Sequence, residues 1–345
     1  MKTRFFSHSA ALFFRPDRSA WNWRRLAVVQ AIFRLGLAAT VAKADPTFTT
    51  LASFTGDNGA SPQTALVLAT NGMLYGTTPS GGLNGFGTVF KMTPSGAFTN
   101  LISFSGEDGN LPGQLIKGND GNLYGTTLNG GIFGFGNVFK ITTAGDLSSL
   151  FAFSGSNGAD PVGVIQGADG NLYGITDAGG QSFAGADQTG LGTVFQMTTS
   201  GVLSNLVYFT ETNGAYAPLL QAKNGSFYGT TQSGGLQSTG LVFRVVGLSV
   251  LQTVFSSDPT NGTTPEAALV QGTDGNFYGT SFNGGAFAFG SVFVISPSGV
   301  FSTLVSFDQT NNGANPAAPL LLASDGNFYG ATSNGGTNGG GLSSA

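Results

Sequence analysis

A unit of about 50 residues, repeated six times, constrains this chain more than any single motif in it. The dipeptide Tyr-Gly marks each unit, at Tyr75, Tyr124, Tyr173, Tyr228, Tyr278 and Tyr329, with spacings of 49, 49, 55, 50 and 51 residues. Gly-Gly follows each one, from Gly81-Gly82 through to Gly335-Gly336. A Gly-x-Val-Phe run then recurs and ends in Phe90, Phe139, Phe195, Phe243 and Phe293. A further Phe closes a short apolar run at Phe54, Phe104, Phe153, Phe209, Phe255 and Phe307, and a Pro follows at Pro62, Pro112, Pro161, Pro218, Pro265 and Pro316.

Each unit reads as four short strands, A to D. Strand A follows the Pro, as in Ala65 to Leu68, and Asp-Gly-Asn or Asn-Gly then makes a tight turn, because Gly, Asn and Asp take positive φ at low cost. Strand B carries Leu123-Tyr124-Gly125-Thr126-Thr127, strand C carries Val138-Phe139-Lys140-Ile141, and strand D runs as in Leu101 to Phe104. Four strands repeated radially predict an all-β β-propeller, with one Tyr and two Phe per blade packed between neighbours. A parallel β-helix is the competing architecture, but its rungs need far fewer than 50 residues. The strand count predicts a lone strand D at Thr47 to Phe54, five complete blades, and a sixth blade that has A and B but lacks C. On that count the last blade is frayed or the chain truncated, with a longer parent carrying more repeats.

The first 44 residues differ from the rest. They hold 8 of the 13 basic residues, an apolar run from Leu26 to Phe33 after Arg24-Arg25, and Ala42-Lys43-Ala44 before Asp45. This order predicts a signal peptide over 1–44, with a domain of six repeats over 45–345. A disordered basic leader is the alternative. No later stretch approaches the roughly 18 apolar residues of a membrane span.

Composition then excludes chemistry. The chain has no Cys, and its one His, His8, lies in the leader, so residues 45–345 offer no thiol, no imidazole and no Cys- or His-ligated metal. Those residues carry 5 basic against 16 acidic side chains, which leaves no source of phosphate neutralisation and disfavours nucleic acid as a partner.

The unit Asp-Gly-Asn-Leu-Tyr-Gly-Thr-Thr-x-x-Gly-Gly at Asp120 to Gly131, followed by Gly136 to Ile141, resembles the GloVer-type tandem repeat. The resemblance spans about 45 to 336. It implies an exported bacterial repeat protein, displayed at the cell surface or secreted, and brings no established activity with it. Members often end in a surface-sorting tail, and none is visible here.

Strand parity places the A–B and C–D turns on one face of the disc and the longer D–A and B–C loops on the other. Residues on that second face which break the repeat are the site candidates, since packing accounts for those that obey it. They are the acids Asp160, Asp177, Asp187, Glu211 and Glu266, with Tyr216, and the loop aromatics Phe86, Phe133, Phe135, Phe183, Phe287 and Phe289. Acids beside aromatic rings suit a neutral glycan, with rings stacking on sugar faces and carboxylates accepting hydroxyl hydrogen bonds. No cofactor is expected; weak calcium binding by D–A loops such as Gly106 to Gly109 is a secondary reading. Two functions follow: a non-catalytic module binding a glycan or a protein through the loop face, or a polysaccharide hydrolase or lyase using a carboxylate pair from Asp160, Asp177, Glu211 and Glu266.

Overall fold

The computed structural model describes residues 49–181, 183, 190–210 and 217–336, and all its regular structure is β. Five antiparallel sheets follow in chain order, each with its strands in sequence order from A to D. In the first blade strands A to D are Val67–Leu68, Leu74–Thr78, Thr88–Met92 and Phe98–Ser103. The second pairs Ile116–Lys117 with Leu123–Asn129, Asn137–Ile141 and Leu147–Ala152, and Asn110–Pro112 adds a second short segment to the same edge. A pair of strands, Leu321–Leu322 and Phe328–Tyr329, forms the start of the sixth. The predicted β-propeller architecture is the one observed. Residues 1–44, with the expected signal peptide, lie outside the described residues.

One contact explains why Tyr-Gly and Val-Phe recur together. In the first blade Gly76 pairs with Phe90 across strands B and C, and the Phe ring lies over the glycine so closely that an added Cβ would sit 2.6 Å from its tip. The same close approach joins Gly125 to Phe139 and Gly279 to Phe293. Any side chain at the glycine would push the ring out. At the same place the C–D ladder slips by one residue in all five complete blades, between Val89 and Phe90 in the first and Val292 and Phe293 in the fifth. A bulge of this kind raises the local twist of a sheet, as a propeller blade requires.

The core is split into five clusters, each shared by two successive blades. Between the first and second, Tyr75, Val89 and Phe104 pack on Leu115, Leu123 and Phe139. The Phe that ends strand D meets the strand-C Phe of the following blade edge to face: Phe104 on Phe139 at 5.4 Å, Phe153 on Phe195 at 5.3 Å, Phe209 on Phe243 at 5.6 Å. Edge-to-face pairs contribute about 0.5–1.5 kcal/mol beyond the area they bury.

Two expectations are corrected here. Residues 49–54 of the predicted lone strand D form no strand, yet Phe54 meets Phe90 at 5.3 Å and 61°, the geometry of the other D-to-C contacts. The segment packs where a preceding blade's strand D would pack, and no strand among the described residues pairs with it. In the fourth blade the residue that takes the place of Phe104 is buried Ser257 and not Phe255, because Ser257 donates its N–H to Gly240 O as Phe104 does to Gly87 O. Phe255 lies two residues earlier and stacks on Phe301 at 4.1 Å.

The Asp-Gly-Asn turns have a specific task. Asp120 accepts the Asn122 backbone N–H and its side-chain amide, and the Tyr124 hydroxyl donates to Oδ2 at 2.7 Å. Asp169, Asp274 and Asp325 do the same for Tyr173, Tyr278 and Tyr329. Burial and the neighbouring carboxylate push the phenols of Tyr173 and Tyr278 up to about 12. The fourth blade has Asn224 where the Asp stands, and the fully buried Tyr228 hydroxyl has no hydrogen-bond partner. Glutamines ending strand A, which the sequence analysis passed over, tie the turns of successive blades: Gln166, Gln221 and Gln271 accept the N–H of Asn119, Ala168 and Lys223 at 2.8 to 2.9 Å.

Two substitutions test this account by urea denaturation. Gly125→Ala lowers stability by about 1–3 kcal/mol, the usual cost of overpacking a filled core. Asn224→Asp raises it by about 1 kcal/mol, since a carboxylate then accepts from the buried Tyr228 hydroxyl.

Candidate functional site

The D–A and B–C loops of successive blades are joined by backbone hydrogen bonds. After Gly-Gly the chain turns tightly, with Gly134 N–H donating to Gly131 O and Gly136 N–H to Gly130 O. The residue before that last glycine offers its carbonyl to the next blade: Phe86 O accepts from Leu111, Phe135 O from Asp160, Thr239 O from Thr264 and Phe289 O from Asn315, at 2.8 to 3.2 Å. The donors all lie at the position just before the repeat Pro and take φ of 52–56°. The left-handed backbone of Asp160 is therefore a property of the repeat and not a mark of function, since Leu111, Thr264 and Asn315 share it.

The candidate aromatics divide into two groups. Phe133 and Phe287 are exposed at loop tips, and Phe86, at the position of Phe135 and Phe289, is exposed to a lesser degree. Phe135 and Phe289 are half-buried and pack against the inter-blade cores, and Phe183 is half-buried with its edge on Phe135 at 5.3 Å. For Phe135 and Phe289 the expectation of an exposed platform is corrected: both rings pack against the inter-blade clusters. The residue after Gly-Gly was not among the candidates, yet Leu83, Ile132 and Leu236 stand exposed there. Aligning the repeats by this position would have shown an apolar side chain in three blades with nothing in the unit to pack against.

The acids divide as well. Asp187 and Glu211, with Tyr216, lie outside the described residues. Glu266 accepts a hydrogen bond from Gln232 Nε2 of the preceding blade at 2.7 Å and is part of a blade junction. Asp160 and Asp177 are brought together. They face each other across strands Ala159–Gln166 and Leu172–Ala178, between the pairs Ala159 with Ala178 and Pro161 with Thr176. Directly opposed residues have Cβ atoms about 4.5–5.5 Å apart, and like charges there repel. Burial, and next the Asp177 carboxylate, push the Asp160 carboxyl up to about 6, and burial raises Asp177 too. Asp160 Oδ1 is buried without a hydrogen-bond partner.

The D–A loops carry turn chemistry. Asp108 Oδ1 accepts the Ser105 N–H at 2.7 Å, and Asn58, Asn157, Asn261 and Asn312 hold the same place and the same bond in other blades. A position where Asn serves as well as Asp is built for an amide-accepting turn. Among the described residues no group of three or more His, Cys, Asp or Glu could hold a metal ion.

With this geometry established, comparison with known proteins adds the lineage. Residues 31–187 and 183–343 each match the Gloeobacter/Verrucomicrobia repeat. The chain belongs to that family. No curated protein matches it. Among solved structures it is similar to virginiamycin B lyase from Staphylococcus aureus, at 12% identity and a TM-score of 0.53 over 77% of this chain and 79% of that one. A catalytically inactive form of the same lyase, with quinupristin, matches at 15% identity and the same TM-score, with the same coverage of each chain. At such identities the likeness shows the fold alone, which places this repeat protein among β-propellers.

The carboxyl pair predicts a pH dependence. A carboxyl whose folded pKa is raised stabilises the fold while protonated, so this contribution is full below about pH 4, the ordinary range of an unfolded carboxyl. It is lost as pH rises through about 6. Asp160→Asn removes that loss, and Asn fits because Asn315 already occupies the equivalent place, with its amide on Phe282 O at 3.1 Å. Melting temperatures of both proteins between pH 4 and 7 make the comparison, and parallel curves would refute it.

Proposed function

We propose that this repeat protein is an exported, non-catalytic module that binds a glycan or a protein through the D–A/B–C loop face. The observation that carries the reading is the set of exposed apolar side chains at matching loop tips, Leu83, Ile132, Phe133, Leu236 and Phe287, on the same face as Asp160 and Asp177. A folded unit has no internal reason to expose these side chains blade after blade, and exposed apolar surface in a regular arrangement marks an interaction site. The glycan version rests on Phe133 and Phe287, whose rings can stack on sugar faces while carboxyl groups accept hydroxyl hydrogen bonds. Export rests on the basic, apolar and small-residue order of residues 1–44 and on the absence of Cys.

A second reading, an enzyme that cleaves polysaccharide, is favoured by one observation. Asp160 and Asp177 lie opposite each other across strands A and B of the third blade, and the carboxyl of Asp160 is raised to about 6. Against it stands the lack of any imidazole in residues 45–345.

Glycan-array binding with the purified protein, read alongside cleavage of the same sugars, separates the readings. The module binds without turnover, and Phe133→Ala with Phe287→Ala weakens binding at least about tenfold, the equivalent of roughly 1.4 kcal/mol. Turnover lost in Asp177→Asn would establish the enzyme instead. Binding unaffected by the two Phe substitutions would remove the loop tips from the site.

A further inference from the structure

The A–B turn of the fourth blade brings hydrogen-bond donors together without an acceptor for them. In four other blades a carboxylate stands at this turn, that of Asp120, Asp169, Asp274 or Asp325. Its Oδ2 accepts the strand-B Tyr hydroxyl and also the side-chain amide of the Asn two residues after it, as Asp120 does from Tyr124 and Asn122. The fourth blade has Asn224 in place of that Asp and Ser226 in place of that Asn. Asn224 Oδ1 accepts the Ser226 N–H at 3.0 Å, the bond Asp120 Oδ1 makes to Asn122, so its amide nitrogen takes the place of the second carboxylate oxygen. Tyr228 is fully buried, and its hydroxyl has no hydrogen-bond partner among the described residues. The first blade also has Asn at this turn, but there the Tyr75 hydroxyl accepts from Asn71 and donates to Thr143 O.

Strand C adds a charge at the same place. Arg244 is the register partner of Tyr228. In the third blade the residue at that position, Gln196, donates to the Tyr173 hydroxyl at 2.9 Å, so a side chain there reaches the phenol. Arg244 Nη2 donates to the neutral Gln252 Oε1 at 2.6 Å, whereas its Nε is buried with no partner among the described residues. Lys223, exposed in the turn, supplies a second cation. Buried polar groups are nearly always paired, and what the Tyr228 hydroxyl and Arg244 Nε both lack is an acceptor.

We propose that the fourth blade binds a carboxylate from outside the chain, held by the Tyr228 hydroxyl and Arg244 Nε at the place where four other blades present their own Asp. A carboxylate is the group this turn already uses to receive the phenol, and hydrogen bonds from a guanidinium to an anion are about twice as strong as neutral ones. The turn is exposed and Arg244 is half-buried, so the carboxylate enters from the A–B/C–D face, opposite the loop face. Its source is a free small acid or a uronic sugar, which share this chemistry.

The test is titration of the purified full chain with sodium acetate and, separately, sodium glucuronate, against sodium chloride at the same concentrations. Nitrogen-15 NMR follows the arginine Nε–H signal that Arg244→Gln removes, and calorimetry gives the affinity. That signal shifts saturably with a carboxylate and not with chloride. Tyr228→Phe and Arg244→Gln each weaken binding at least about tenfold, the loss of one charge-assisted or buried hydrogen bond. Asn224→Asp, which supplies the carboxylate from within, abolishes binding, while Lys140→Gln, at the same position in a blade that has its Asp, leaves it unchanged. Circular dichroism confirms that each variant is folded. Binding of acetate alone assigns the site to a free acid, and displacement of acetate by glucuronate assigns it to an acidic sugar. A signal that neither carboxylate moves means that the two donors hold an ordered water only and overturns the proposal, as does binding that survives in Asn224→Asp.

Discussion

The ring of a strand-C Phe lying across the glycine of Tyr-Gly is the contact on which the blade depends. It needs an absent Cβ on strand B and a one-residue slip between strands C and D, and the described blades that have all four strands supply both. The slip adds twist, the ring fills the space the glycine leaves, and the Phe so placed becomes the surface on which the preceding blade's strand D closes. Intra-blade geometry and inter-blade packing are thus set by the same pair of residues.

Stability is consequently a chain of nearest-neighbour interfaces, each with its own small core, rather than one central core. Polar contacts follow the same rule. Tyr hydroxyls donating to Asp fix the turns within blades, Gln side chains link each turn to the next, and strand-B threonines such as Thr77 donate to a carbonyl just before strand A of the next blade. Defects stay local for the same reason: Ser257 replaces a core Phe at one junction, and Phe255 shifts onto Phe301 without disturbing the others.

The loop face is where the repeat stops explaining the residues. Backbone hydrogen bonds join successive loops on that face, and these bonds together with inter-blade packing account for several residues that look functional in sequence, among them the left-handed Asp160 backbone and the rings of Phe135 and Phe289. What they do not absorb is the exposed apolar tips and the Asp160–Asp177 pair. A rigid scaffold that presents irregular side chains at loop ends is a common basis for binding by repeat folds.

The amino-acid sequence by itself determined the unit, its four strands, the propeller and the turn chemistry, because periodic Gly, Tyr, Phe and Asp report local constraints on φ, pleat and close approach. It could not separate exposed from half-buried aromatics, since Phe133 and Phe135 are two residues apart and only Phe135 packs against an inter-blade cluster and Phe183. Nor could it reveal that Asp160 and Asp177, 17 residues apart in sequence, oppose each other, because that depends on the register of strands A and B. The equivalence of Ser257 with Phe104 and the packing of residues 49–54 without pairing were likewise decided by tertiary structure. Each is a relation between neighbouring blades, and a repeat read along the chain describes one blade at a time.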